Sequence, residues 1–139
     1  MALALTNECI SKYEKDDAKY MGSSSDDLEL IRALSQQGYK LIETNLDIKI
    51  AKIGGEIVTF VILKLLGFSS ERRRICIIVK DKNGIKLYTK GADCEIIKQL
   101  SKKPLKNKNY QIISNGLMKF YKKGLTTLMI EFKKINDKD

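Results

Sequence analysis

The sequence predicts an α+β fold built on a mainly antiparallel sheet. Two turn signals, Gly54-Gly55 and Asn83-Gly84, each sit between apolar runs of strand length and join them as hairpins. Stretches with helical spacing are present, but they do not alternate strictly with the strands as a parallel sheet would require. The 139 residues suffice for one domain, assigned to 1–139 with residues 133–139 as a frayed tail, and no internal repeat divides them.

Along the chain, residues 2–10 read as a short helix or strand. The polar residues 11–25 read as a loop ending in Ser23-Ser24-Ser25. Asp26 then reads as an N-cap, with Asp27 and Glu29 placing negative charge at the positive end of a helix. Leu30, Ile31 and Leu34 supply its apolar face, and Gly38 sits where a C-cap is wanted. Tyr39 to Glu43 and Asp47 to Ile53 read as strands. Ile57 to Leu66 reads as a long buried strand, broken by Gly67. Arg74 to Lys80 is apolar on both faces and reads as an interior strand, with Ile85 to Lys90 as its hairpin partner. Asp93 can cap a helix carrying Ile96, Ile97 and Leu100, and residues 101–109 read as a solvated loop. Tyr110, Ile113, Leu117 and Phe120 trace an amphipathic helix closed by Gly124, and Leu125 to Phe132 reads as a final strand.

Composition narrows the chemistry. Hydrophobic residues at 43% and charged residues at 31% suit a soluble globular fold. The longest apolar run, Ile57 to Leu66, is about half of the ~20 residues that cross a bilayer. No basic stretch precedes a short apolar segment at the N-terminus, so no signal peptide is read. Histidine is absent, which excludes histidine triads, histidine bases and histidine metal sites. Cys9, Cys76 and Cys94 lie too far apart for a metal knuckle and read as reduced thiols. The net charge of +9 is uneven: residues 1–70 carry −2 and residues 71–139 carry +11. The basic half should attract an anion, whether nucleic acid, nucleotide phosphate or an anionic membrane surface. No Rossmann or Walker spacing is present, and Lys90-Gly91-Ala92 lacks the aromatic of an RNA-recognition sheet.

Three segments carry candidate chemistry. In Gly67-Phe68-Ser69-Ser70-Glu71-Arg72-Arg73-Arg74, an aromatic ring at a strand edge precedes small hydroxyls and a cationic run. This is either a platform for a purine ring or core packing followed by a solvated turn. In Lys90-Gly91-Ala92-Asp93, a lysine ends a strand where small residues allow close approach and a helix begins. This is either an anion-facing helix start or an ordinary turn. Ser24-Ser25-Asp26-Asp27 is a helix cap whose carboxylates can also accept an amino group.

In this order and spacing, the segments resemble the nucleotide-binding domain of the type IV P-type ATPases, the phospholipid flippases. That family carries Ser-Pro-Asp-Glu, Phe-Ser-Ser-x-Arg-Lys-Arg, Lys-Gly-Ala-Asp and Gly-Leu-Arg-Thr-Leu segments. The last is matched here by Gly124-Leu125-Thr126-Thr127-Leu128, and Leu3-Ala4-Leu5-Thr6-Asn7 resembles the segment entering the domain. The resemblance covers essentially the whole chain and implies a twisted antiparallel sheet flanked by helices. It implies ATP as ligand, with Phe68 stacking on adenine and Asp27 at the base contact. Lys90 then lines the pocket or reaches the phosphates, Gly91, Ser69 and Ser70 line it, Arg72 to Arg74 brace it and raise the local potential, and Thr126 stands where the family's phosphate-contacting arginine would be.

The resemblance further implies a parent membrane protein that uses Mg2+ and hydrolyses ATP to move phospholipid. It implies phosphorylation and actuator domains and an auxiliary subunit as partners. The domain itself would be cytosolic, touching neither membrane nor nucleic acid. The Asp-Lys-Thr-Gly-Thr, Thr-Gly-Asp and Gly-Asp-Gly segments of that family are absent, so the expectation is a piece of a longer chain that does not hydrolyse ATP alone. Ser25 stands where the family has proline, Asp27 where it has glutamate, and Thr126 where it has an arginine that contacts phosphate. These departures favour an alternative: a degenerate flippase-like regulatory module in a larger membrane protein, such as a protist guanylyl cyclase, with weak or no ATP binding. A basic RNA-binding module is the third reading.

Overall fold

The structure, a computed structural model, describes residues 1–14, 17–100 and 108–136. The elements in order are α1 (Ala2–Leu5), β1 (Ile10–Glu14), β2 (Asp17–Met21), α2 (Ser25–Gln36), β3 (Tyr39–Thr44) and β4 (Ile48–Ile53). They continue as β5 (Glu56–Ser69), β6 (Arg74–Asp81), β7 (Gly84–Ala92), α3 (Asp93–Leu100), α4 (Lys108–Lys122) and β8 (Leu128–Ile135). Strands β3 to β8 form one antiparallel sheet in sequence order, and β1 and β2 form a separate hairpin. The fold is α+β, mainly antiparallel, as the turn signals imply.

The turns follow their residues. Gly54 and Gly55 both take positive φ, +57° and +94°, which is the geometry of a two-residue hairpin turn. At Asn83-Gly84 only the glycine does so, at +105°. Asn83 instead gives its backbone N–H to Asp81 Oδ1 at 2.8 Å, and Lys86 Nζ reaches Asp81 Oδ2 at 2.6 Å. Gly38, at φ +84°, follows the last turn of α2, which ends at Gln37.

Several expectations need correction. Of the expected loop over 11–25, residues 11–14 and 17–21 are strand instead, with β1 and β2 paired from Ile10↔Met21 to Tyr13↔Ala18, and 15–16 lie outside the described residues. Their lysines and serine hide the strand signal because most of this hairpin lies at the surface. The N-cap of α2 is Ser24, not Asp26, since the Ser24 hydroxyl accepts the Asp27 N–H at 3.2 Å. Both residue types cap well, so composition does not separate them. Gly67 does not break β5. The strand runs on to Ser69 across a register shift between Leu66 and Ser69. Nor is β5 buried: Ile57, Val61, Leu63, Leu65 and Leu66 are all exposed, while Phe60 is buried. Only one face of that part of the sheet is covered.

The tail also departs from expectation. β8 pairs with β7 as far as Ile135, so residues 133–135 are ordered strand, and 137–139 lie outside the described residues. Of the expected 101–109 loop, 101–107 lie outside the described residues, and 108–109 open α4. The helix of Tyr110, Ile113, Leu117 and Phe120 is present, but Ile113 and Phe120 are exposed.

The core forms on the covered face. Leu5, Leu41, Ala51, Phe60, Ile77, Val79 and Tyr88 pack together, with Met1, Ala2 and Tyr20 against them. Beside this core lies Lys49, only 1% exposed. Its ammonium donates to the carbonyl oxygens of Leu5 (3.0 Å) and Asn7 (2.8 Å) and to Asn7 Oδ1 (3.3 Å). These bonds tie the segment after α1 to the sheet. They satisfy a charge that burial otherwise disfavours.

Burial pushes the Lys49 ammonium down from 10.5 to about 8. The folded chain therefore releases this proton at a lower pH than the unfolded chain. Between pH 8 and 10.5 the unfolded state binds more protons, so the lysine's contribution to stability rises with pH across that window. Urea unfolding of the native chain at about pH 7.5 and about pH 9.5 should show this gain, on the order of 1–3 kcal/mol, against Lys49→Met, which lacks it. At neutral pH Lys49→Met should be destabilised by about 1–3 kcal/mol, because buried carbonyls lose their donor.

Candidate functional site

One end of the covered face opens into a cleft of about 820 Å³. That volume lies within the range of small-molecule sites. Four parts of the chain form its walls: the segment after α1 (Glu8, Cys9), the start of α2 (Ser23, Ser24, Asp26, Asp27), the β5–β6 junction (Phe68, Arg73, Ile75), and the end of β7 with Asp93. The end of α4 and the entry to β8 close it through Tyr121 and Leu125 to Leu128.

Each wall has a local cause. Phe68 rides on the irregular end of β5 and stands 61% exposed, so it is not a core residue. Glu8 stands beside it, its carboxylate 3.5 Å from the Phe68 N–H. Lys90 lies at the floor, 6% exposed, and pairs with Asp27 Oδ1 from the first turn of α2. This pair joins the helix start to the sheet across 63 residues of sequence. Gly91 is required by close approach rather than by φ. A Cβ there would stand 2.6 Å from the Arg73 carbonyl oxygen and 2.6 Å from Arg74 Cβ. The same carbonyl accepts the Ala92 N–H at 3.1 Å. Arg73 itself takes φ +51°, the only non-glycine residue described with positive φ.

Asp93 holds the far wall. Its Oδ1 accepts the Cys94 N–H at 2.6 Å, and its Oδ2 accepts the hydroxyls of Thr127 at 2.7 Å and of Tyr121. One carboxylate therefore fixes the start of α3, the end of α4 and the approach to β8. Burial pushes the neighbouring Cys9 thiol up, which keeps it a neutral wall residue. The lining carries Glu8, Asp26, Asp27 and Asp93 against Arg73 and Lys90. The cleft suits a neutral ring with amino groups better than a bare polyanion. Among the described residues no group of three acidic or cysteine side chains is placed to hold a metal ion.

Comparison with known proteins speaks to ancestry. The chain is 30% identical over 139 residues to a phospholipid-transporting ATPase of Schizosaccharomyces pombe, covering 99% of this chain and 10% of that protein. It is 35% identical over 122 residues to phospholipid-transporting ATPase IC of Homo sapiens, covering 86% of this chain and 9% of that one. It is 27% identical over 139 residues to phospholipid-transporting ATPase tat-1 of Caenorhabditis elegans, at 99% and 12%. The chain matches a domain of the type IV phospholipid-transporting ATPases. It spans about a tenth of the length of these curated relatives. No protein-family profile matches it. Among the described residues, no helix is long and apolar enough to cross a membrane.

Of the residues singled out in the sequence, the fold brings Asp27, Phe68, Lys90, Gly91 and Thr126 to one cleft. Ser69, Ser70 and Arg74 do not line it. The Ser69 hydroxyl faces the turn and accepts from Arg72 N (3.2 Å) and Nε (3.1 Å). Ser70 is exposed on that turn, and Arg74 Nη1 bonds the Arg72 carbonyl at 3.1 Å. Glu8, Cys9, Arg73, Asp93, Tyr121 and Thr127 line the cleft as well. Asp93 is legible as a cap and Arg73 as part of a basic run. The reach of Tyr121 to Asp93 has no local signal, because it depends on how α4 leads into β8.

Two substitutions test these ties. Gly91→Ala should cost about 1–3 kcal/mol, read by thermal or chemical unfolding, because neither neighbouring backbone can move aside freely. Lys90→Met should cost about 3 kcal/mol by leaving Asp27 unpaired, whereas Lys90→Met with Asp27→Leu should recover a good part of it. A double-mutant cycle on unfolding free energies measures the difference.

Proposed function

We propose that this domain binds ATP in the cleft, base inward, and presents the γ-phosphate to an aspartate carried by a phosphorylation domain elsewhere in a phospholipid-transporting ATPase. The observation that carries this reading is the uncovered ring of Phe68 in the same cleft as the Lys90–Asp27 pair. An adenine stacks on that ring, a contact worth ~1–3 kcal/mol where bases meet aromatics. Asp27 accepts the exocyclic amino group on the oxygen that Lys90 does not use. Lys90 holds that carboxylate in place. The acidic lining keeps the triphosphate out of the floor, so it leads outward past Arg73 and Thr126.

The work done here is positioning. This chain supplies no group that attacks phosphorus, and transfer belongs to groups it does not contain. Mg2+ would travel with the nucleotide and the phosphorylation domain. The parent would be a membrane protein with this domain on its cytoplasmic side, working with actuator and phosphorylation domains and an auxiliary subunit. A second reading has a specific observation behind it. Lys90 is already neutralised by Asp27, and Thr126 adds no charge. On that reading the module keeps the fold, binds ATP weakly or not at all, and serves a regulatory role.

Titration of ATP into the chain, followed by amide shifts and by calorimetry, separates the two. The ATP-presenting reading expects saturable binding with shifts at Phe68, Lys90 and Asp27. Phe68→Ala should weaken it about tenfold or more. Thr126→Arg should tighten it about tenfold by adding one charge-assisted phosphate contact. No saturable binding at millimolar ATP leaves the regulatory module as the reading.

A further inference from the structure

β8 ends the sheet. It pairs with β7 on one side, and among the described residues no strand lies on the other. Such edges template another strand unless proline, a bulge, short length or charged side chains, lysine above all, protect them, and the charges on β8, Glu131, Lys133 and Lys134, are of both signs. β8 has eight residues, no proline or glycine, and an unbroken register with β7 from Ile85↔Ile135 to Ala92↔Leu128. On the face it shares with Tyr88 and Lys90, Leu128, Ile130 and Phe132 stand 49%, 38% and 55% exposed. The Phe132 ring leans on Tyr88 with centroids 5.3 Å apart, which fixes it beside the edge.

Symmetry and charge together select an occupant. A two-fold axis normal to the sheet pairs two copies of one strand antiparallel, with like faces aligned and a residue facing its own copy at the axis. Four registers keep five or more residues of β8 paired in each copy, and of these an axis at Ile130 pairs only residues 128–132 and joins no opposite charges. An axis at Glu131 sets two carboxylates face to face, and an axis at Lys133 does the same with two ammoniums, each destabilising. An axis at Phe132 avoids both. Phe132 then meets Phe132, Glu131 meets Lys133 of the second copy on both sides, and Met129 meets Ile135. Ile130 meets Lys134, whose aliphatic stem can lie along it.

We propose that β8 is a homotypic docking edge, through which two copies of this chain pair antiparallel about Phe132 into one continuous sheet. The edge of a single strand buries less than the ~1,600 Å² of a standard interface, so the dimer is a micromolar one. The cleft lies at the Leu128 end of β8, away from the axis.

Sedimentation equilibrium of this chain from about 1 μM to about 500 μM tests it. The expected result is a reversible monomer–dimer equilibrium. Glu131→Lys alone and Lys133→Glu alone should each weaken it about tenfold, since two attractive pairs become two repulsive ones. The double exchange, Glu131→Lys with Lys133→Glu, should restore the native affinity. Circular dichroism checks that each variant is folded. Should a charge variant fail to fold, Phe132→Lys reads the same axis by placing two ammoniums there. A chain that stays monomeric throughout overturns the proposal. So does a dimer that ignores the single reversals, or association that continues beyond two copies.

Discussion

The buried ammonium of Lys49 is the constraint on which the arrangement of this domain depends. A lysine on the covered face of a central sheet is costly unless its three protons find acceptors. Here the carbonyls of Leu5 and Asn7 and the Asn7 side chain supply them. Meeting that demand draws the short α1 and the turn after it onto the sheet. The turn is itself closed by Asn7, whose amide donates to the carbonyls of Leu3 and Ala4. Glu8 and Cys9, next along the chain, are thereby set against the β5–β6 junction as one wall of the cleft.

The second tie, Lys90 to Asp27, works by similar physics with a different result. It joins the start of α2 to the end of β7 and defines the cleft floor. Both partners lie in the low-dielectric margin of the core, where a lone charge would be far costlier than the pair. Asp93 repeats the device on the opposite wall, using one carboxylate to hold three elements. The cleft is thus bounded by polar ties rather than by apolar packing. Its one large uncovered apolar group at the β5–β6 junction is Phe68. A pocket with a fixed polar floor and an open aromatic wall suits a flat, amino-bearing ring better than a lipid tail.

The sheet is covered unevenly. α2 and the β1–β2 hairpin pack at the β3 end and α1 reaches β3, β7 and β8, while Leu128, Ile130 and Phe132 stand open on the covered face at the β8 end. α4 likewise leaves Ile112, Met118 and Phe120 exposed. A 139-residue chain has limited apolar surface to bury, and this one spends it around Phe60, Ile77 and Tyr88. What remains open on β8 is a regular edge with a self-complementary charge pattern.

The sequence alone determined the fold class, because Gly54-Gly55 and Asn83-Gly84 admit few alternatives to hairpins between apolar strands. Its Phe-Ser-Ser and Lys-Gly-Ala-Asp segments also carried the resemblance to the flippase family, since side chains fixed at given spacings are local information. The tertiary structure decided which of those residues share a cavity. Phe68, Lys90, Asp27 and Thr126 converge, while Ser69, Ser70 and Arg74 turn away. Adjacent residues on a strand or tight turn point in different directions, and a bulge between Leu66 and Ser69 resets which one faces inward. The β1–β2 hairpin escaped the sequence because its polar surface gives no periodicity, and α4 keeps its apolar period although described residues do not bury it. Periodicity records what a segment can bury, and only the packed chain shows what it does bury.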